Sequence, residues 1–237
     1  MRVGLQRALF GSDSRHVAIN RFDPTDSPTD TASITPRSSP GLRALIAYAS
    51  NGFVYTVRTN RTGRHRVMPA ADVFALQWSG DGTLLGYQGS SRLGYGPVFV
   101  VAPDGRHRRR LTRGDTSWSW SPRGRALALN RELIDFATRR RWRALPRTIT
   151  RVRTIVWSPN GRTIAYVINT GIYVVDSTAR RGHLIRWPID RPTSDPAWSH
   201  DSRTLAFATP RGLFEVSADG RRRGYVPLDW CKAASGG

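Results

Sequence analysis

Trp157-Ser-Pro-Asn-Gly-Arg-Thr-Ile-Ala-Tyr166 is the stretch that decides the fold, because the chain repeats it. The aromatic residue is placed to end one strand on a buried face, and Ser-Pro-Asn-Gly has the composition of a tight turn. The apolar-Ala-aromatic triplet then begins the next strand. The motif therefore predicts an antiparallel β-hairpin.

Three further copies of this motif occur, at residues 78–87, 120–129 and 198–207. The structural repeat residues that begin the four copies are 42, 37 and 41 residues apart, namely Trp78, Trp120, Trp157 and Trp198. A small residue occupies the same place in every copy, which suits a position where packed sheets converge: Gly86, Ala128, Ala165 and Ala206. A period near 40 residues is typical of four-stranded propeller blades.

Apolar segments downstream of the motifs predict a third strand in each repeat, at Pro97–Val101, Leu133–Ile134, Gly171–Val175 and Gly212–Val216. An arginine-rich fourth strand follows each one. No segment shows sustained 3.6-residue periodicity, so helices are not expected. The chain is predicted to be all-β, a β-propeller of four-stranded antiparallel blades.

Two weaker copies lie upstream. Ile46-Ala47-Tyr48 matches the apolar-Ala-aromatic triplet, with a first strand expected near Ile34, and Phe10–Ile19 matches the motif at Trp198 in shape. The blade count is therefore five or six, and in a six-bladed form one blade is incomplete. We expect an N-terminal hairpin that contributes to a blade, a Ser/Thr/Pro-rich loop, propeller repeats and a C-terminal tail at residues 1–21, 22–40, 41–230 and 231–237.

The succession Trp-Ser-Pro-x-Gly, apolar-Ala-aromatic, Ile-Tyr-Val, Asp-Gly and Arg109-Arg110-Leu111-Thr112 resembles the WD40-like (PD40) repeats of the TolB-type β-propeller family. The resemblance covers residues 42–230 and implies a non-enzymatic protein-interaction scaffold with a protein partner. The same propeller also occurs in accessory domains of serine peptidases. A propeller fragment of a larger exported peptidase or sensor is therefore an alternative function.

The chain of 237 residues has a formal net charge of +20. Such a charge indicates affinity for nucleic acid or another polyanion. Lys232 is the only lysine, and so strong a preference for arginine is also typical of a GC-rich genome. Cys231 is the only cysteine, which excludes an intramolecular disulfide.

Arginines recur where each fourth strand begins or in the turn before it. Because a propeller repeats a blade position around its axis, they predict a basic annulus that binds nucleic acid or an anionic surface. Protection of exposed edge strands is the alternative explanation. The candidate anion-binding residues are Arg106, Arg108, Arg109, Arg110, Arg139, Arg140, Arg141, Arg180, Arg181, Arg221, Arg222 and Arg223.

Asp115 and Asp195 precede the first strands of their blades and are candidates for the mouth of a central channel. The five histidines lack zinc-ligand spacing, and no Gly-x-Ser-x-Gly pentapeptide is present. We therefore expect no catalytic residues, no metal and no cofactor.

No run of about 18 apolar residues occurs, so no transmembrane segment is expected. A monomer is expected. Because no apolar run follows Met1, a signal peptide is not predicted. The location is cytoplasmic if Met1 is the true start, and periplasmic or extracellular if an upstream leader is missing.

Overall fold

The computed structural model describes residues 18–20, 31–34, 45–58, 61–69, 73–91, 94–114, 116–186 and 192–227. All regular structure in these ranges is β-strand. No helix that could span a membrane occurs in them. The chain divides into two compact units, Met1–Asp115 and Thr116–Gly237.

Within its described residues, the first unit contains two antiparallel sheets, with strand orders β1-β2-β3-β4-β5 and β6-β7-β8-β9. The strands of the first sheet are β1 Ala18–Asn20, β2 Thr31–Ile34, β3 Leu45–Ser50, β4 Phe53–Arg58 and β5 His65–Pro69. Those of the second are β6 Val73–Trp78, β7 Leu85–Ser91, β8 Gly94–Val101 and β9 Arg109–Arg110.

In the described part of the second unit there are three four-stranded antiparallel sheets, each with its strands in chain order. They are β10 Trp118–Trp120, β11 Ala126–Leu129, β12 Glu132–Asp135 and β13 Arg140–Arg143; β14 Thr154–Trp157, β15 Thr163–Ile168, β16 Gly171–Asp176 and β17 Gly182–Arg186; and β18 Ala197–Trp198, β19 Thr204–Thr209, β20 Gly212–Ser217 and β21 Arg223–Pro227. We call the five sheets blades 1 to 5 in chain order.

Blade 1 differs from the other four because a fifth strand, β1, pairs with β2. The rest of the segment 1–21 lies outside the described residues. Strand β2 is the first strand expected near Ile34, and it pairs with β3. It falls inside the segment 22–40, whose composition predicted a loop, and β-branched Thr31 and Ile34 at its two ends favour a strand.

The four predicted hairpins are confirmed, and they share one register. Each tryptophan pairs with the residue seven positions later, in the pairs Trp78–Leu85, Trp120–Leu127, Trp157–Ile164 and Trp198–Leu205. Each turn also has a left-handed residue at the same place, with φ of 70°, 67°, 68° and 63° at Gly82, Gly124, Gly161 and Ser202. Glycine adopts this conformation without a steric penalty, which explains why three of the four turns contain it.

A serine organises these turns. In blade 4 the Ser158 Oγ donates to Asn160 Oδ1 at 2.8 Å and accepts a hydrogen bond from the backbone N–H of Thr163 at 3.0 Å. The same two bonds occur at Ser79 in blade 2 and at Ser199 in blade 5, with Asp81 and Asp201 as the acceptors. The Asp and Asn residues of the motifs therefore stabilise turns.

The blades of the second unit pack face to face in sequence order. One apolar cluster joins blade 3 to blade 4, and another joins blade 4 to blade 5. The tryptophan side chains reinforce both boundaries, because the Trp157 Nε1 donates to the Ser119 carbonyl at 3.0 Å and the Trp198 Nε1 to the Val156 carbonyl at 3.1 Å. Ser119 and Val156 occupy equivalent positions, each one residue before the tryptophan of its own blade.

Candidate functional site

Among the described residues, one face of blade 5 is covered by blade 4 and the other face is exposed or half-buried. Its covered face presents Leu205, Phe207, Phe214 and Val216 to blade 4. Side chains alternate along a strand, so the intervening residues lie on the other side of the sheet. We call this side the open blade face and define it by Ala206, Ala208, Leu213, Glu215 and Val226.

The corresponding face of blade 4 is fully buried. Its residues at the five equivalent positions are at most 5% exposed, namely Ala165, Val167, Ile172, Val174 and Ile185. On the open blade face, by contrast, Leu213 is 42% exposed, Glu215 is exposed and the other three residues are half-buried. The residues of the two faces are alike except that Glu215 replaces Val174.

These open-face residues are direct neighbours in the sheet. Ala206 pairs with Glu215, Ala208 with Leu213, and Leu213 with Val226. A groove of about 720 Å³ adjoins them and is lined by residues that include Glu215, Asp219 and Arg222. The surface is therefore an apolar patch with a carboxylate on it, beside a charged groove.

A second surface lies at one end of the three blades of the second unit. The turn between the first two strands of each blade lies beside the turn between its last two strands, because backbone bonds link them: Phe136 N–H to the Arg125 carbonyl, Ser177 N–H to Arg162 and Ala218 N–H to Arg203. Turns of successive blades also touch. The Asn160 N–H donates to Ser202 Oγ at 3.1 Å, and Gly161 lies against Ser121.

We call this end the basic turn face. Its arginines outnumber its carboxylates, and they are Arg123, Arg125, Arg139, Arg140, Arg162, Arg180, Arg181, Arg203, Arg221, Arg222 and Arg223. The carboxylates are Asp135, Asp176, Asp201 and Asp219. All of these arginines are exposed except Arg125, which is half-buried.

The carboxylates of this face are engaged by their own turns. Asp201 accepts from Ser199 Oγ at 2.6 Å and from the Arg203 N–H at 3.1 Å, and these bonds lower the pKa of its carboxyl. Bonds from Ser217 Oγ and the Arg221 N–H likewise lower the pKa of Asp219. On this face the Arg221 side chain also lies 3.9 Å from the Asp219 carboxylate. The arginines of this face are in clear excess over its carboxylates, and all of them but Arg125 are exposed.

Besides Arg221, three of the predicted anion-binding arginines contact side chains of their own blade. The Arg108 Nε donates to Tyr87 Oη at 2.7 Å, and its guanidinium lies 4.7 Å from the Phe99 ring centroid. The Arg141 Nε donates to Glu132 Oε2 at 2.7 Å. Arg106 lies 3.7 Å from the Asp104 carboxylate. Arg109 and Arg110 are exposed on β9, in the first unit.

The predicted channel-mouth residue Asp195 is exposed and accepts a hydrogen bond from Thr154 Oγ1 at 2.7 Å. It lines a polar recess of about 310 Å³ together with Arg153, Thr193 and Ser194. Asp115 lies outside the described residues. Within the part of the chain that the structure describes, no group of three or more His, Cys, Asp or Glu side chains is arranged to hold a metal ion.

Three solved structures are similar to this chain. TolB from Acinetobacter baumannii is 20% identical with a TM-score of 0.53, over 78% of this chain and 52% of that one. The tricorn protease is 16% identical with a TM-score of 0.53, over 73% and 20%. An oligogalacturonate lyase from Vibrio parahaemolyticus is 9% identical with a TM-score of 0.57, over 86% and 67%.

The fold is a β-propeller. This confirms the all-β, TolB-like blade architecture that the repeated motifs predicted. The chain spans about half the length of the matched TolB and a fifth of the tricorn protease chain. No protein-family model matches the chain, and a search of curated proteins finds no match.

The open blade face was not predicted from the sequence. Its alternating residues could have indicated it, because Gly212-Leu-Phe-Glu-Val216 places a glutamate where Gly171-Ile-Tyr-Val-Val175 has a valine. A charge at a position that is buried in the preceding blade is a sign that this face is not covered in the same way.

Proposed function

We propose that the protein is a non-enzymatic binding scaffold that docks a protein partner on the open blade face. The observation that carries this proposal is the contrast at one position of two consecutive blades. Ile172 is fully buried by the next blade, whereas its equivalent Leu213 is 42% exposed. Exposed apolar patches with polar rims are typical of protein-interaction sites.

The chemistry of the face also defines its partner. Small side chains at Ala206 and Ala208 leave room for apolar side chains of the partner, and Leu213 and Val226 add apolar area. Glu215 requires a basic group opposite it, because a buried carboxylate without a partner is costly. The expected partner is therefore a protein element with an apolar face and one Lys or Arg within it.

Site-specific cross-linking tests this proposal. A photo-reactive phenylalanine replaces Leu213 in the full-length protein, which is irradiated in the cells that make it and analysed by mass spectrometry. Phe74, which is 50% exposed on β6, receives the same group as a matched control. We expect position 213 to cross-link to one separate protein. The Leu213→Glu variant should no longer bind that protein.

Two results would overturn the proposal. Cross-links from position 213 to residues of this same chain alone would mean that the chain covers the face itself. Equal cross-linking from positions 213 and 74 would mean that any exposed apolar residue captures the same proteins, and that the open blade face has no specific role.

A further inference from the structure

We infer that the basic turn face of the second unit binds the phosphate backbone of nucleic acid, independently of the open blade face. The arginines of this face come from two turns in each of three consecutive blades, and the contacts between blades 3, 4 and 5 make the surface continuous. An arginine guanidinium can bind a phosphate through two parallel hydrogen bonds.

The local contacts leave most of these guanidinium groups available. Arg180, Arg181 and Arg222 are exposed, and they form no ion pair among the described residues. In the same turns Asp176 and Asp219 use their oxygens to accept backbone N–H groups, as for Arg181 N–H to Asp176 Oδ2 at 2.5 Å. These two carboxylates therefore stabilise the turns on which the exposed arginines lie.

The dimensions of the surface suit a polymer of phosphates. Packed sheets lie about 10 Å apart, so three blades carry the arginines over about 20 Å. One DNA strand advances about 3.4 Å per nucleotide, so about six nucleotides span this distance. The surface can therefore bind several phosphates of one strand.

A nucleic acid fits this surface better than a protein does. Protein interfaces have an apolar core that is poor in charged residues. The exposed large apolar side chains of the described residues are Phe74, Leu213 and Tyr225, and none of them lies in these turns. Contacts to phosphates alone carry no sequence information, so we expect binding without sequence preference.

Fluorescence anisotropy with a labelled 20-base-pair DNA duplex tests this inference on the full-length protein. The first variant carries Arg180→Gln, Arg181→Gln and Arg222→Gln. The matched control carries Arg147→Gln, Arg151→Gln and Arg186→Gln, which remove the same charge from exposed positions at the other end of these blades. Circular dichroism melting checks that both variants fold.

The first variant should bind DNA at least tenfold more weakly than the unsubstituted protein in 0.1 M salt, and the control less than threefold. The dependence of log K on log salt should become shallower by about 0.9 for each phosphate that the variant no longer neutralises. A duplex of unrelated sequence should bind equally well. Equal weakening in both variants would overturn the inference, since it would mean that net charge alone attracts the DNA. Equally tight binding of polyglutamate would also overturn it, because an acidic protein would then be the better ligand.

Discussion

The Trp157 indole Nε1 donates a hydrogen bond to the backbone carbonyl of Ser119, 3.0 Å away in the preceding blade. Trp157 is also 8% exposed and belongs to the apolar cluster between blades 3 and 4. One side chain thus ends a strand of its own blade, packs between two blades and forms a hydrogen bond with the backbone of the neighbouring sheet.

Trp157→Phe should lower the free energy of unfolding by about 2 kcal/mol, because it removes the indole hydrogen bond across the blade boundary together with part of the packing in the apolar cluster. Trp142→Phe is the matched control, since the Trp142 Nε1 is buried and has no hydrogen-bond partner among the described residues. The destabilisation by Trp142→Phe should stay within about 1 kcal/mol. The substitution loses packing, but it also removes a buried donor that has no hydrogen-bond partner, and the second effect offsets part of the first. Urea unfolding measures both values, and equal destabilisation would show that the hydrogen bond is unimportant.

Gly105→Ala should be much more damaging than Gly124→Ala. Both glycines have positive φ, 82° and 67°, so both substitutions cost about 1 kcal/mol of backbone strain. At Gly105 the new Cβ would also lie 2.2 Å from the Val67 carbonyl oxygen, whereas at Gly124 no atom lies within 4 Å. Thermal and urea unfolding should show a further destabilisation of about 1–3 kcal/mol at Gly105. Similar stabilities of the two variants would contradict the close approach of this turn to β5.

Arg108→Gln should destabilise the fold by about 1 kcal/mol, because Arg108 bonds to the Tyr87 hydroxyl and lies over the Phe99 ring. Arg109→Gln, which removes the same charge from an exposed neighbour, should change stability by less than about 0.5 kcal/mol. Burial raises the pKa of Tyr87 and Arg108 opposes this shift. Ultraviolet titration should therefore find a higher pKa for Tyr87 in Arg108→Gln, and an unchanged titration would contradict the contact.

Acid should destabilise the second unit through its turn carboxylates. Hydrogen bonds from Ser199 and Ser217 lower the folded-state pKa values of Asp201 and Asp219 below the unfolded value of about 3.9. Their stabilisation is therefore complete above that value and disappears as pH falls through the folded pKa values. The doubly substituted Asp201→Asn, Asp219→Asn protein should keep its turns, because Asn160, at the place equivalent to Asp201, accepts the same serine hydroxyl and backbone N–H bonds that both aspartates accept.

Urea midpoints measured between about pH 5 and about pH 2 check this prediction, because the unfolded carboxyls titrate near 3.9. The unsubstituted protein should lose stability steeply over this range, and the double Asn variant less so. Parallel pH profiles for the two proteins would show that these aspartates contribute nothing to acid sensitivity.

Local repetition made much of the fold predictable. The spacing of Trp120, Trp157 and Trp198 and the turn residues that follow each of them predicted the hairpins, which the structure shows in one shared register. Contacts between distant strands were not predictable in this way. Arg108 was a candidate anion ligand because arginines recur at its position, but its stacking depends on Tyr87 and Phe99, which cross-strand pairing brings beside it.

The candidate surfaces were predictable to different degrees. The positions of Arg180, Arg181 and Arg222 in turns followed from the repeat. The sequence did not predict that Asp176 and Asp219 accept hydrogen bonds from backbone N–H groups, because these bonds depend on the folded conformation of the turns. The exposure of Leu213 depends on what packs against blade 5, and the sequence of one blade does not contain that information.

The hydrogen bonds from tryptophan indoles to the preceding blade bear on how propeller chains gain or lose whole blades. At both blade boundaries of the second unit, the donor is the last residue of a blade's first strand, and the acceptor is the carbonyl one residue before the equivalent tryptophan. A duplicated blade would therefore bring its own donor for the preceding boundary and its own acceptor for the next. At a junction of this kind, adding or deleting a whole blade would therefore preserve the donor–acceptor pair.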